Sequence, residues 1–186
     1  MVVQQPAHLY TIEDFRAFIA QPENEDRLFE LIDGEIIEVS PGRTSNSEYR
    51  DLIAFSARAF CHEHKLPCYT SGEGGAYEVQ GEVVAPDFAY KPTPMSKEYP
   101  DPVPPLWVVE IVSPTDKAKD IRAKRNVYRR AGILLWEVYP EAQSVDAYVP
   151  GKEVQVFGID DVLEVGDILP GFKLSVRDIF SDPLAE

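Results

Sequence analysis

The sequence predicts an α/β (α+β) fold: a mixed β-sheet flanked by helices, with a helix and a β-hairpin at the N-terminal side. Three observations carry this. Stretches of helical spacing alternate with short β-rich runs along the 186 residues, the order that builds sheets covered by helices. The run 106–112, LWVVEIV, is apolar on both faces of the pleat apart from Glu110, as a strand buried on both sides is. Apolar residues make up 44% and charged residues 27%, a globular rather than a disordered balance. The length suits one domain, 1–186, able to bury a core without staples.

The elements follow in order. Residues 11–20 read as a short helix with Thr11 as N-cap and Ile12, Phe15 and Ile19 on one face. In 27–41 two β-rich runs are broken by Asp33-Gly34, a strong hairpin signal. Residues 47–65 place Leu52, Ile53, Phe55, Ser56, Ala59 and Phe60 at helical spacing before Pro67 closes the stretch. Three β-like segments come next, 69–80, 82–91 and 105–112, the last two separated by a stiff loop with six prolines. Residues 116–131 form a helix that begins at an Asp and stops at Gly132. Three more strand-like stretches lie in 133–140, 144–150 and 152–158, and the remainder reads as irregular structure with a short final helix.

Composition narrows the setting. No apolar run approaches the roughly 18–20 residues of a membrane span. The N-terminus shows no basic region followed by an apolar stretch, and two cysteines are too few for a disulfide framework. The expectation is a cytoplasmic protein without membrane partners. The net charge of −14 argues at first against nucleic acid, because an acidic surface repels phosphate. The charge is unevenly spread, however. Lys117, Lys119, Arg122, Lys124, Arg125, Arg129 and Arg130 are seven of the 18 basic residues, all in the helix 116–131, against only Asp116 and Asp120 there. Such a helix face is either simply solvated or a contact surface for anions.

Two carboxylates break the local rules. Glu110 interrupts an apolar strand, where an ionised carboxylate is costly unless paired or bound to a metal; the plainer alternative puts it at the strand end, reaching solvent or an arginine. Asp87 follows Pro86 inside a β-rich segment, and a proline there marks an edge or bulge that re-aims side chains. Two carboxylates converging from neighbouring strands suit a hard cation such as Mg²⁺. Asp120, Lys124 and Tyr128 lie four apart and share a helix face.

Taken together, Pro86-Asp87, Glu110-Ile111-Val112-Ser113-Pro114, Asp120-x-x-x-Lys124-x-x-x-Tyr128, Gly132 and Trp136 resemble the Uma-type restriction endonuclease family of the PD-(D/E)XK nuclease superfamily. The stretch Phe29 to Glu35, followed by Ser40-Pro41, fits the same pattern, and the resemblance spans about residues 10 to 150. It implies a restriction-endonuclease-like core, a mixed sheet of about four strands, and Mg²⁺- or Mn²⁺-dependent hydrolysis of DNA. It assigns Asp87, Glu110 and the Ile111 carbonyl as metal ligands, and Lys124 as the group that orients water or stabilises developing charge. The superfamily's lysine position, two residues after the glutamate, holds Val112; the Uma-type members carry the lysine on the following helix instead. Glu30 takes a third acidic position, beside a second metal or a water. Tyr128 contacts a phosphate or packs, and Arg125 is a further substrate contact. Asp120 pairs with Lys124 before substrate arrives, an i,i+4 pair worth a few tenths of a kcal/mol if exposed. Tyr49 stands where relatives often carry histidine, as a possible substrate contact. DNA is then the expected partner, and a homodimer or higher homo-oligomer the expected assembly, since symmetric dimers suit two-strand cutting. The competing readings are a catalytically silent nuclease-fold module that binds nucleic acid or protein, and an enzyme fold that chiefly builds an oligomer.

Other constellations carry less. Cys61, His62, His64 and Cys68 invite zinc, but on a helix His62 and His64 point about 200° apart, and a helix C-terminus favours histidines for its dipole. The glycine-rich 71–75 lacks the lysine and spacing of a phosphate loop. Trp107, Trp136 and Tyr139 read as core or sheet-edge aromatics, and the absence of Gly-x-Ser-x-Gly argues against acyl chemistry.

Overall fold

A computed structural model describes residues 9–39 and 44–181; Ser40-Pro41 of the family-like stretch lies outside them. Helix α1 (Ile12–Ile19) starts at Thr11, whose side chain and that of Asp14 cap each other's backbone amides, the reciprocal arrangement of a capping box. Strands β1 (Phe29–Ile32) and β2 (Glu35–Glu38) form the expected hairpin. Its turn has positive φ at both Asp33 (50°) and Gly34 (76°), the type I′ geometry whose twist matches paired strands. Helix α2 (Thr44–His64) turns Ile53, Ala57 and Cys61 inward, an i, i+4, i+8 stripe.

The next two β-rich segments each divide between two sheets. The segment 69–80 yields β3 (Tyr69–Gly72) and β4 (Tyr77–Val79), and 82–91 yields β5 (Glu82–Val84) and β6 (Phe88–Lys91). The first break falls at Gly74-Gly75, the second at Ala85-Pro86-Asp87, where proline withholds a ladder donor. Strand β7 (Trp107–Ile111), helix α3 (Ala118–Arg130) and strand β8 (Leu134–Tyr139) then make the molecule's parallel crossover, followed by β9 (Ser144–Tyr148) and β10 (Gln155–Phe157). The C-terminal part, read as irregular from sequence, contains a small hairpin, β11 (Val162–Glu164) with β12 (Lys173–Ser175), before the short helix α4 (Val176–Phe180). These strands are three residues each, too short for a periodicity signal to separate them from loop.

The large sheet has six strands in the order β10-β9-β8-β7-β6-β3, more than the four expected; the smaller sheet runs β2-β1-β5-β4. Pleat parity allots each side chain to a layer. On the large sheet, Trp107, Val109, Ile111, Leu134, Trp136 and Val138 pack toward α2 and the C-terminal elements. Their neighbours Val108 and Leu135 pack on the other face with Val127 and Tyr128 of α3 and Ile32, Val79 and Val84 of the small sheet. The small sheet turns Phe29 and Leu31 to Phe15 of α1. Trp107 and Trp136 stack edge to face at 4.6 Å in the core, as expected of them. The six-proline loop is fastened inside by a buried ion pair, Lys91 Nζ to Asp101 Oδ2 at 2.5 Å, and Asp101 bridges to Tyr77, so the loop contributes one sheet contact. Among the described residues no helix is long and apolar enough to cross a membrane.

Candidate functional site

The alternation that buries Trp107, Val109 and Ile111 against α2 obliges Glu110 to face α3. There the four-residue spacing of α3 delivers two partners, one to each carboxylate oxygen. Lys124 Nζ lies 2.8 Å from Glu110 Oε2, and the buried Tyr128 hydroxyl donates to Glu110 Oε1 at 2.6 Å. Glu30 arrives from the other layer. With Phe29 and Leu31 turned to α1, it points toward α3, where its Oε1 lies 3.0 Å from Lys124 Nζ and accepts the Ala85 amide at 2.8 Å. Lys124 also donates to the Ala85 carbonyl at 3.1 Å. Asp87 stands at the point where the chain leaves the small sheet for the large one, and its Oδ2 accepts the Ile111 amide at 2.6 Å.

The electrostatics reflect crowding of like charge in a partly dry place. Burial pushes Glu110 up to about 8; Lys124 opposes this, and Asp87 and Glu30 add to it. Burial likewise raises Asp87, against the pull of Lys124 and the Ile111 amide. For Lys124 burial favours the neutral amine, but Glu110, Glu30 and Asp87 outweigh it and hold the ammonium charged. Burial also keeps the Tyr128 phenol protonated, with Glu110 and Glu30 reinforcing it.

Asp87, Glu110, Ile111, Lys124 and Asp120 line one cleft of about 640 Å³; Glu30 lies directly behind Lys124. The remaining expected contacts are engaged differently. Asp120 does not pair with Lys124, because Glu30 and Glu110 already hold that ammonium. Arg125, expected to meet substrate, is committed to Glu137 through two bonds of 2.8 and 2.6 Å and stacks over Tyr148. Tyr128 has no exposed surface in this state, so it serves Glu110 and not the cleft. Tyr49 packs edge to face on Phe180, away from the cleft.

Sequence reasoning missed Glu137, which is 1% exposed, pairs in register with Glu110 and borders the cleft. Its signal was present: ILLWEVY repeats the pattern of LWVVEIV, one glutamate in an apolar strand. The zinc reading finds no geometry. Cys61 is a core residue whose thiol burial raises to about 12, and His64 stacks on Phe60. Among the described residues, no three His, Cys, Asp or Glu side chains are arranged to share one ion.

No curated protein matches the chain. Among solved structures, it resembles a crystal structure from Anabaena variabilis described as "a putative nuclease belonging to DUF820", with a TM-score of 0.75 and 21% identity. The match covers 91% of this chain and 97% of that one, which establishes a common fold. A family model described as "Uma2: Putative restriction endonuclease" matches residues 12–177, nearly the whole chain, and the chain therefore belongs to the Uma2 family.

Proposed function

We propose that the chain is a metal-dependent endonuclease that hydrolyses phosphodiester bonds in DNA, working as one domain and as a homodimer or higher homo-oligomer. One observation carries the reading: Glu30 and Glu110 arrive from two sheets on a single lysine, and Asp87 lines the same cleft as Glu110 and Lys124, in a chain of the Uma2 family. Three carboxyl groups stand near one ammonium, burial raises both Glu110 and Asp87 above their ordinary values, and Asp87 makes no ion pair among the described residues. Carboxylate and carbonyl oxygens are the hard donors that a divalent cation such as Mg²⁺ or Mn²⁺ takes. Asp87, Glu110 and the Ile111 carbonyl would hold it, and when bound it would neutralise the phosphate and make water more acidic.

The chain's own groups do the rest. The Tyr128 hydroxyl and Lys124 fix the two oxygens of Glu110, so the carboxylate is oriented before substrate arrives. Glu30, anchored by the Ala85 amide, holds Lys124 at the cleft wall. From there the ammonium orients the attacking water or stabilises charge developing on the phosphate. The test is plasmid nicking with Mg²⁺ or Mn²⁺. Glu110→Ala and excess chelator should each abolish it; activity that survives both overturns the reading.

A further inference from the structure

We propose that Arg50 forms a phosphate-binding subsite beside Asp87, its guanidinium taking a non-bridging oxygen of the nucleic-acid backbone; this rests on the nuclease reading. In a chain of net charge −14 a phosphate needs a cation that is not already spent. Lys124 is held by Glu30, Glu110 and the Ala85 carbonyl, Arg125 by Glu137, and Lys91 by Asp101. Arg50 is differently placed. Its ion pair is with its neighbour Asp51, at 3.1 Å, and that carboxylate is 66% exposed, so water and salt screen it.

The guanidinium nevertheless sits well inside the protein. Its side chain is only 26% exposed, and its Nε is buried without an acceptor among the described residues. A donor left unmade in such a place is unfavourable until an acceptor reaches it, and a planar guanidinium fork matches phosphate.

Position ties Arg50 to the cleft. It lies one helical turn after Asn46, which borders the cleft, and Glu73 of the facing segment borders it too. Gly72 makes the space: a Cβ there would stand 2.5 Å from Arg50 Nη1 and 3.6 Å from the Asp87 carbonyl oxygen. The guanidinium is therefore within about 6 Å of the Asp87 backbone, and any side chain at position 72 would displace it.

The test measures binding of a fluorescein-labelled 20-base-pair duplex by anisotropy across a salt series with Mg²⁺. All proteins carry Glu110→Gln, so that the duplex survives. Adding Arg50→Gln should weaken binding about tenfold or more and lower the slope of log affinity against log salt by about 0.9, the signature of one lost phosphate contact. Arg50→Lys should keep the slope, and Gly72→Ala should reproduce part of the Arg50→Gln loss with the arginine still present. Unchanged affinity in Arg50→Gln overturns the proposal. So does weaker binding at unchanged slope, which marks a structural effect. If neither Glu110→Gln nor the unsubstituted chain binds the duplex at any salt, this proposal and the nuclease reading fall together; if Arg50→Gln is neutral while Glu110→Ala abolishes nicking, only this proposal falls.

Discussion

Two sequestered lysines flank the start and end of the chain's central segment, and the protein treats them in opposite ways. Lys91, 1% exposed, meets one carboxylate, Asp101. The amides of Ser96 and Val103 take further lone pairs of that carboxylate at 3.0 and 2.9 Å. Charge is balanced, the hydrogen bonds are made, and the pair pins the proline-rich loop. Lys124 meets two carboxylates with a third nearby, on the wall of an open cleft. The consequence shows in the acids. Burial alone would raise Asp101, but Lys91 and the two amides hold it below the usual carboxylate range, whereas Glu110 is pushed up. A balanced, closed pair is architecture; acids outnumbering the ammonium beside a cleft are what the proposed cation would balance.

The largest effect expected from breaking this contrast is on stability. Lys91→Ala leaves Asp101 charged, buried and unpaired, a change that costs about 3–5 kcal/mol. For a chain of this size that lowers Tm by roughly 6–20 °C. Glu110→Gln, by contrast, puts a neutral amide where burial already favours the neutral acid and should leave Tm unchanged or higher, as followed by circular dichroism on heating. Equal losses in the two variants would erase the distinction.

Acid titration sharpens it further. Because the folded pKa of Asp101 lies below its unfolded value, the native state binds fewer protons there. Its contribution is complete above the unfolded pKa of about 4 and disappears as pH falls through the folded value. Denaturant melts should show stability falling on acidification below about pH 4, and Asp101→Asn should flatten that limb. The smallest effect is expected at Asp120, which lines the cleft without pairing to Lys124. Asp120→Ala should change stability by no more than about 0.5 kcal/mol; a larger loss would mean that Lys124 draws on Asp120 after all.

What the sequence determined by itself is local and periodic. Asp33-Gly34 set the first hairpin, helical spacing marked α2, and the pleat of 106–112 marked Glu110 as misplaced. The inward face of α2 was not legible, for of the residues read at helical spacing Ile53 is buried, with Ala57 and Cys61, while Phe55 is exposed. Four-residue spacing put Lys124 and Tyr128 on one face of α3, and both reach Glu110. Tertiary structure alone decided which charges meet. That Glu30 arrives beside Lys124 depends on a second sheet whose strands are cut from longer β-rich runs at Gly74-Gly75 and Pro86. That Arg125 is spent on Glu137 depends on the register of two parallel strands, and that the Arg50 guanidinium can lie against β3 depends on a missing side chain at Gly72. The physical reason is range. Turn chemistry and periodicity act over a few residues and are written in the chain, whereas ion pairing acts through space between elements whose order only the folded core sets.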